Sequence, residues 1–106
     1  MTILVATDLS ARSDRAYDRG LLLAREQGKS LVVLHVIDKD LAKSDAAEDR
    51  HTAERIFREA AEALPADLQD KVSFEVVEGK ASKLIIERAA AVEAPFVILG
   101  GHRHRG

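Results

Sequence analysis

The stretch Ile3-Leu4-Val5-Ala6-Thr7-Asp8-Leu9-Ser10 decides how the chain is read. Four apolar residues run directly into residue types that turn a chain or cap a helix. A run so short and unbroken predicts a strand covered on both faces, with a helix beginning after Ser10. The pattern recurs. Leu31 to Ile37, Val72 to Val77 and Phe96 to Leu99 are further short apolar runs, and helix-period segments lie between them. Ala53, Ile56, Phe57, Ala60, Ala61 and Leu64 form one helical stripe, and Ala81, Leu84, Ile85, Ala89 and Val92 form another. Before the second run, Ala16, Gly20, Leu23, Ala24 and Gln27 share a face of mostly small residues that can lie close on a sheet. Strand and helix alternate from end to end, which predicts an α/β fold of parallel βαβ units, a parallel sheet doubly wound by helices.

The residues between these elements agree. Asp8 and Ser10 are N-cap types, Gly28 follows the first helix, and Pro65 stops the second. Asp45 with Glu48 three residues on reads as a capping box, and Asp38 to Arg50, polar and mixed in charge, is expected to be a mobile loop leading into the second helix. Gly79 separates the third strand from its helix. Val72-Ser73-Phe74-Glu75-Val76 alternates, unlike the other runs, and is expected at a sheet edge. In the order 3-2-1-4 the fourth run would be the other edge, yet Phe96-Val97-Ile98-Leu99 has the composition of an interior strand. A covering strand, from another chain or from residues beyond Gly106, is the expectation.

At 106 residues the chain is one domain, with 46% hydrophobic residues for a core and 32% charged residues for a surface. It has no cysteine, which removes disulfides, thiolate metal sites and thiol nucleophiles together. The segment after Met1 has no basic n-region, and the longest apolar run is interrupted by His35 and is far too short to span a bilayer. A cytoplasmic chain with no membrane partner is the expectation. Acids exceed bases by ten to six in residues 38 to 71, while the flanking segments each carry five bases and four acids. The one basic patch is His102-Arg103-His104-Arg105. With aromatic residues at 4%, no nucleic-acid partner is expected.

In an open parallel sheet, ligands bind beyond the C-terminal ends of the strands, where the strand order reverses. In the order 3-2-1-4 this is the crevice between strands one and four. Thr7-Asp8-Leu9-Ser10 supplies an acid and a helix N-terminus there. Gly100-Gly101-His102-Arg103-His104-Arg105-Gly106 supplies flexible backbone and cations. Together they suit a nucleotide, with N–H groups and cations for phosphates and a carboxylate for a base amine or ribose hydroxyl. Plainer roles stand beside this one: Asp8 as a helix cap, Gly100-Gly101 as a turn, and the basic run as a solvated tail. His102 and His104 lack a third ligand nearby in sequence, so no metal site is expected, and His35 reads as a satisfied near-core residue. No P-loop, no G-x-G-x-x-G, no paired acids and no nucleophile elbow are present. Nothing specific supports catalysis, which leaves a phosphotransferase or nucleotidyl transferase as the weaker reading.

Taken in series, Ile3 to Ser10, Leu31-Val32-Val33-Leu34-His35-Val36-Ile37-Asp38, Glu78-Gly79 and Val97-Ile98-Leu99-Gly100-Gly101-His102 resemble the universal stress protein family across all 106 residues. The resemblance implies a five-stranded parallel sheet of order 3-2-1-4-5, a homodimer paired through the last strand, and in many members a bound ATP with magnesium. By position, Asp8 matches the acid that meets the adenine end, Val36 the backbone contact to adenine, and Gly100 the first glycine of the family's G-x-x-G-x9-G-[ST] phosphate motif, with Ala6 and Thr7 also counted as nucleotide-binding. His102, Arg103 and Gly106 fall within that phosphate loop. Arg103 stands where the second glycine is expected, and the final glycine with its Ser or Thr would lie past Gly106. The implied protein is a stress-response sensor or regulatory domain, C-terminally incomplete and without the fifth strand. The alternative is a member that binds no nucleotide and works through protein contacts.

Overall fold

The computed structural model of the chain describes residues 2–10 and 13–100. Its elements run in the order β1 (Thr2–Ala6), α1 (Ser13–Gln27), β2 (Ser30–Asp38), α2 (Lys43–Glu62), a 3-10 turn (Ala66–Leu68), β3 (Val72–Gly79), α3 (Ala81–Ala91) and β4 (Val97–Leu99). All pairings are parallel, as the alternation of runs and helices predicts, and the sheet order is β3-β2-β1-β4, as the family resemblance implies for these four strands. Among the described residues, no helix is long and apolar enough to cross a membrane.

The sheet buries both faces. Ile3, Val5, Leu31 and Val33 pack with Ala16 and Ala24 of α1 and Phe57 of α2 on one side. Leu4, Val32 and Leu34 pack with Ile85 and Ala89 of α3 on the other. This is why β1 and the centre of β2 read as unbroken apolar runs: successive side chains alternate between two dry layers. The small-residue face of α1 holds at Ala16, Gly20 and Ala24, all buried, whereas Gln27 is exposed. Gly28 ends α1 at φ +64°, and the Lys29 N–H closes the turn on the Ala24 carbonyl at 2.9 Å.

Two local expectations are corrected. Residues 43–50 are helix rather than loop, because Lys43, Ala46, Ala47 and Glu48 are good helix formers and the segment is docked by its polar side chains. Asp49 meets His35 of β2, and Arg50 reaches Glu78 of β3 at 3.8 Å. Asp45 is therefore not a cap. The N-cap is Ala42, with no side-chain hydrogen bond, and Asp45 lies in the first turn where its charge complements the helix N-terminus.

β3 is an edge strand, as its alternation predicts, and its outward acid is tied down. Arg88 of α3 donates to both carboxylate oxygens of Glu75, at 2.6 and 2.5 Å. These hydrogen bonds, with the guanidinium charge, hold the Glu75 carboxyl below its ordinary range against the opposing effect of desolvation. A lowered folded pKa contributes stability that is present above the unfolded carboxyl's range and is lost as pH falls through the folded value. Glu75→Gln is expected to cost about 1 kcal/mol at neutral pH. It should also remove this part of the acid-induced loss seen in urea unfolding.

β4 is the opposite edge, hydrogen-bonded to β1 through the register Leu4↔Val97 to Ala6↔Leu99. Val97 and Ile98 are half-buried, while Phe96 and Leu99 are exposed. The apolar composition of residues 96–99 thus exceeds what this chain buries there, because only one side of β4 is paired among the described residues.

Candidate functional site

β1 leads into α1 on one face of the sheet, and β4 arrives from α3 on the other. The strand order β3-β2-β1-β4 reverses between β1 and β4, and an open sheet forms its crevice at the C-terminal ends of the strands beside such a reversal. Two backbone bonds hold the strand ends in line. The Thr7 N–H donates to the Leu34 carbonyl at 2.9 Å, and the Gly100 N–H donates to the Ala6 carbonyl at 2.8 Å. Ala6, Thr7, Asp8 and Gly100 are thereby brought to one place.

After Thr7 the chain folds back sharply. The Leu9 N–H donates to Thr7 Oγ1 and the Ser10 N–H to Asp8 Oδ1, both at 2.9 Å, an Asx-type turn with Asp8 exposed. Leu9 takes φ +69°, a strained conformation for a branched residue, and its side chain packs against the core on the α1 and α2 side. The apolar anchor and the two side-chain bonds together set the turn.

Val36 lies two residues beyond Leu34, the register partner of Ala6, and so shares its face of the sheet. It packs on the α3 side and lines a cleft of about 430 Å³ with Asp38, Lys39, Asp40, Lys80 and Ala81. Leu99, opposite Ala6, belongs to the same face and is exposed. By register Ala6, Val36 and Leu99 lie on one face of the sheet as an apolar floor at the strand ends, and Asp8, Lys39 and Lys80 follow the ends of β1, β2 and β3. Such a surface suits a flat ring that carries polar edges.

His102, Arg103 and Gly106 lie outside the described residues. Among the described residues, no group of three or more His, Cys, Asp or Glu side chains could hold a metal ion.

His35 is buried and satisfied, as read from the sequence, but its partners tie it to the site. Its Nδ1 lies 3.0 Å from the Thr7 carbonyl oxygen, and its Nε2 lies 3.0 Å from Asp49 Oδ1. The sequence reading missed this link, as it missed Lys39, Lys80 and Leu99. Lys39 and Lys80 follow the ends of β2 and β3 just as Asp8 follows β1, so the strand-end rule covers them. The contact between His35 and Asp49 had no such signal.

The family model for the universal stress protein family matches residues 1–106. The fold is similar to universal stress protein UspA from Lactobacillus plantarum, with a TM-score of 0.86 and 18% identity over 100% of this chain and 80% of that one. It is also similar to a universal stress protein family member from Burkholderia pseudomallei, with a TM-score of 0.78 and 24% identity over 95% of this chain and 81% of that one. A universal stress protein solved in complex with cAMP gives a TM-score of 0.69 and 22% identity, over 92% of this chain and 73% of that one. A search of curated proteins finds no match. With a family model that spans every residue, the chain belongs to the universal stress protein family.

Proposed function

We propose that the chain is a regulatory or sensor domain of the stress response that binds an adenine nucleotide, with ATP as the leading candidate, at the C-terminal ends of β1, β2 and β4. The observation that carries this reading is the convergence of the Thr7–Ser10 turn and Gly100 beside the apolar floor of Ala6, Val36 and Leu99. The adenine ring lies on that floor. The Val36 backbone and the Asp8 carboxylate meet its polar edge or the ribose, and Gly100 opens the loop toward the phosphates. Magnesium accompanies ATP and neutralises phosphate charge. His102, Arg103 and Gly106 belong to the phosphate side by the family pattern, and Arg103 offers a guanidinium where family members offer a backbone N–H. The cAMP complex of a structural neighbour supports an adenine nucleotide as the ligand class. Binding without turnover, in a homodimer paired through the sheet edge beyond β4, fits a signalling role.

Calorimetric titration of ATP and magnesium into the chain tests this, beside Asp8→Ala and Arg103→Gly. Saturable binding is expected, weakened about tenfold by Asp8→Ala through loss of one charge-assisted hydrogen bond. No heat with the parent would overturn the reading. If Arg103→Gly alone bound, the arginine would be the block, and the parent would work through protein contacts.

A further inference from the structure

The Thr7–Ser10 turn has a second face. Away from Val36 and α3, Thr7 and Leu9 line a cavity of about 130 Å³ between α1, α2 and the sheet. Much of its wall is aromatic. The rings of Phe57 and Phe74 stand 5.1 Å apart at a tilt of 41°, and the Tyr17 ring lies 6.1 Å from that of Phe74. Ile56 and Ala60 of α2 add further apolar surface.

Protein interiors are packed to the density of organic crystals, and few voids larger than a water molecule survive in them. Water gains little in this one, because it needs several polar partners and the lining is mostly carbon. A cavity of about 150 Å³ with a Leu, Ile and Phe lining stays dry and takes up benzene. Here there is also a way in: Asp14 is exposed and Tyr17, Ile56 and Ala60 are partly exposed, so the cavity opens between α1 and α2.

We infer that this cavity is a binding site for a small, uncharged aromatic molecule the size of benzene or phenol, separate from the nucleotide crevice and joined to it by Leu9. Tilted rings offer both faces and edges to a guest ring, and its contacts restore the dispersion that the void forfeits. Charged guests fit poorly. An anion would lose its hydration and meet the Asp14 carboxylate at the rim. A cation would gain from Asp14 but be stripped of water against Leu9, Ile56 and Ala60, which return nothing to a charge. A hydroxyl on the ring is accommodated. The Tyr17 phenol, raised above its ordinary range by burial first and by Asp18 second, stays a neutral partner for it.

Leu9 carries the consequence. It holds φ +69° against the preference of a branched residue, and it lines the cavity. A guest packed against Leu9 holds the turn, and the turn carries Asp8. Occupancy of the cavity therefore raises nucleotide affinity, and the nucleotide raises the guest's affinity by the same factor. This coupling rests on the adenine-nucleotide reading, whereas the cavity site does not.

Titration of the isotope-labelled whole chain with benzene, phenol, benzoate and tetramethylammonium, followed by methyl and amide NMR, tests the inference. Benzene and phenol are expected to bind saturably with Kd on the order of 1 mM, their ring protons in contact with the Leu9 and Ile56 methyls. Benzoate and tetramethylammonium should bind at least about tenfold more weakly. Ala60→Leu fills the cavity from α2 with another good helix former and should abolish binding, with thermal unfolding to show that the fold is kept. If that variant does not fold, Val33→Ile, which adds one methylene to the cavity wall, should weaken binding about threefold. Saturating phenol should tighten ATP binding about fivefold. No saturable binding of benzene or phenol would overturn the site, as would unchanged binding in the folded variant or a preference for tetramethylammonium. If the guests bind as expected but ATP does not, the cavity site stands and the nucleotide reading fails. If both bind independently, the coupling through Leu9 is overturned.

Discussion

Phe57→Ala is expected to lower the unfolding free energy by about 3 to 4 kcal/mol, with a fall in Tm of roughly 15 °C. Phe57 is 8% exposed and packs its ring 5.1 Å from that of Phe74 on β3, which in turn lies 6.1 Å from Tyr17 on α1. These rings join both helices of that face to the sheet. They also border a cavity of about 130 Å³ that Leu9 lines from the side of the turn. Burial there raises the Tyr17 phenol above its ordinary pKa, and the nearby Asp18 adds to the effect. Alanine at position 57 would enlarge an existing void rather than allow collapse, so the full cost of the cavity is expected. Phe96→Ala is the control: that ring is 44% exposed at the β4 edge and should cost less than about 1 kcal/mol. Equal losses in thermal unfolding would contradict the placement of the core.

Gly20→Val is expected to cost about 2 to 3 kcal/mol. α1 lies so close to the sheet at this point that an added Cβ would stand 2.7 Å from Val5 Cγ2 and 3.1 Å from Leu31 Cδ1. Both neighbours are fully buried residues of the central strands and have little room to yield. The gain in helix propensity from replacing glycine, under about 1 kcal/mol, does not offset that clash. Because α1 starts just after the Thr7–Ser10 turn, a displaced α1 should also weaken nucleotide binding. Denaturant unfolding measures the first effect, and unchanged stability would show that the helix does not sit this close.

How much could be read in advance differs between fold and site. Ile3 to Ala6 and Leu31 to Ile37 announced two-sided burial because apolarity is the direct requirement of a central parallel strand. The small face of α1 was legible for a similar reason, since only small side chains allow the approach seen at Gly20. The start of α2 was not. Its first turns dock through Asp49 and Arg50, whose partners His35 and Glu78 lie far away in sequence, so the segment looked like a solvated loop. β4 has the composition of a covered strand, yet Phe96 and Leu99 are exposed at the sheet edge, so a covering strand would have to come from outside the described residues. At the site, Asp8, Val36 and Gly100 follow from the strand-end rule and family position. The contact between His35 and Thr7 follows from neither, because it depends on two strand ends being brought into line.

The most direct test of adenine-nucleotide binding at this crevice is a titration of isotope-labelled chain with ATP and magnesium, followed by amide NMR. Saturable shifts concentrated at Thr7, Asp8, Val36 and Gly100 are the expected result. Shifts confined to other surfaces, such as the β3 edge, or no shifts at saturating nucleotide, would contradict it.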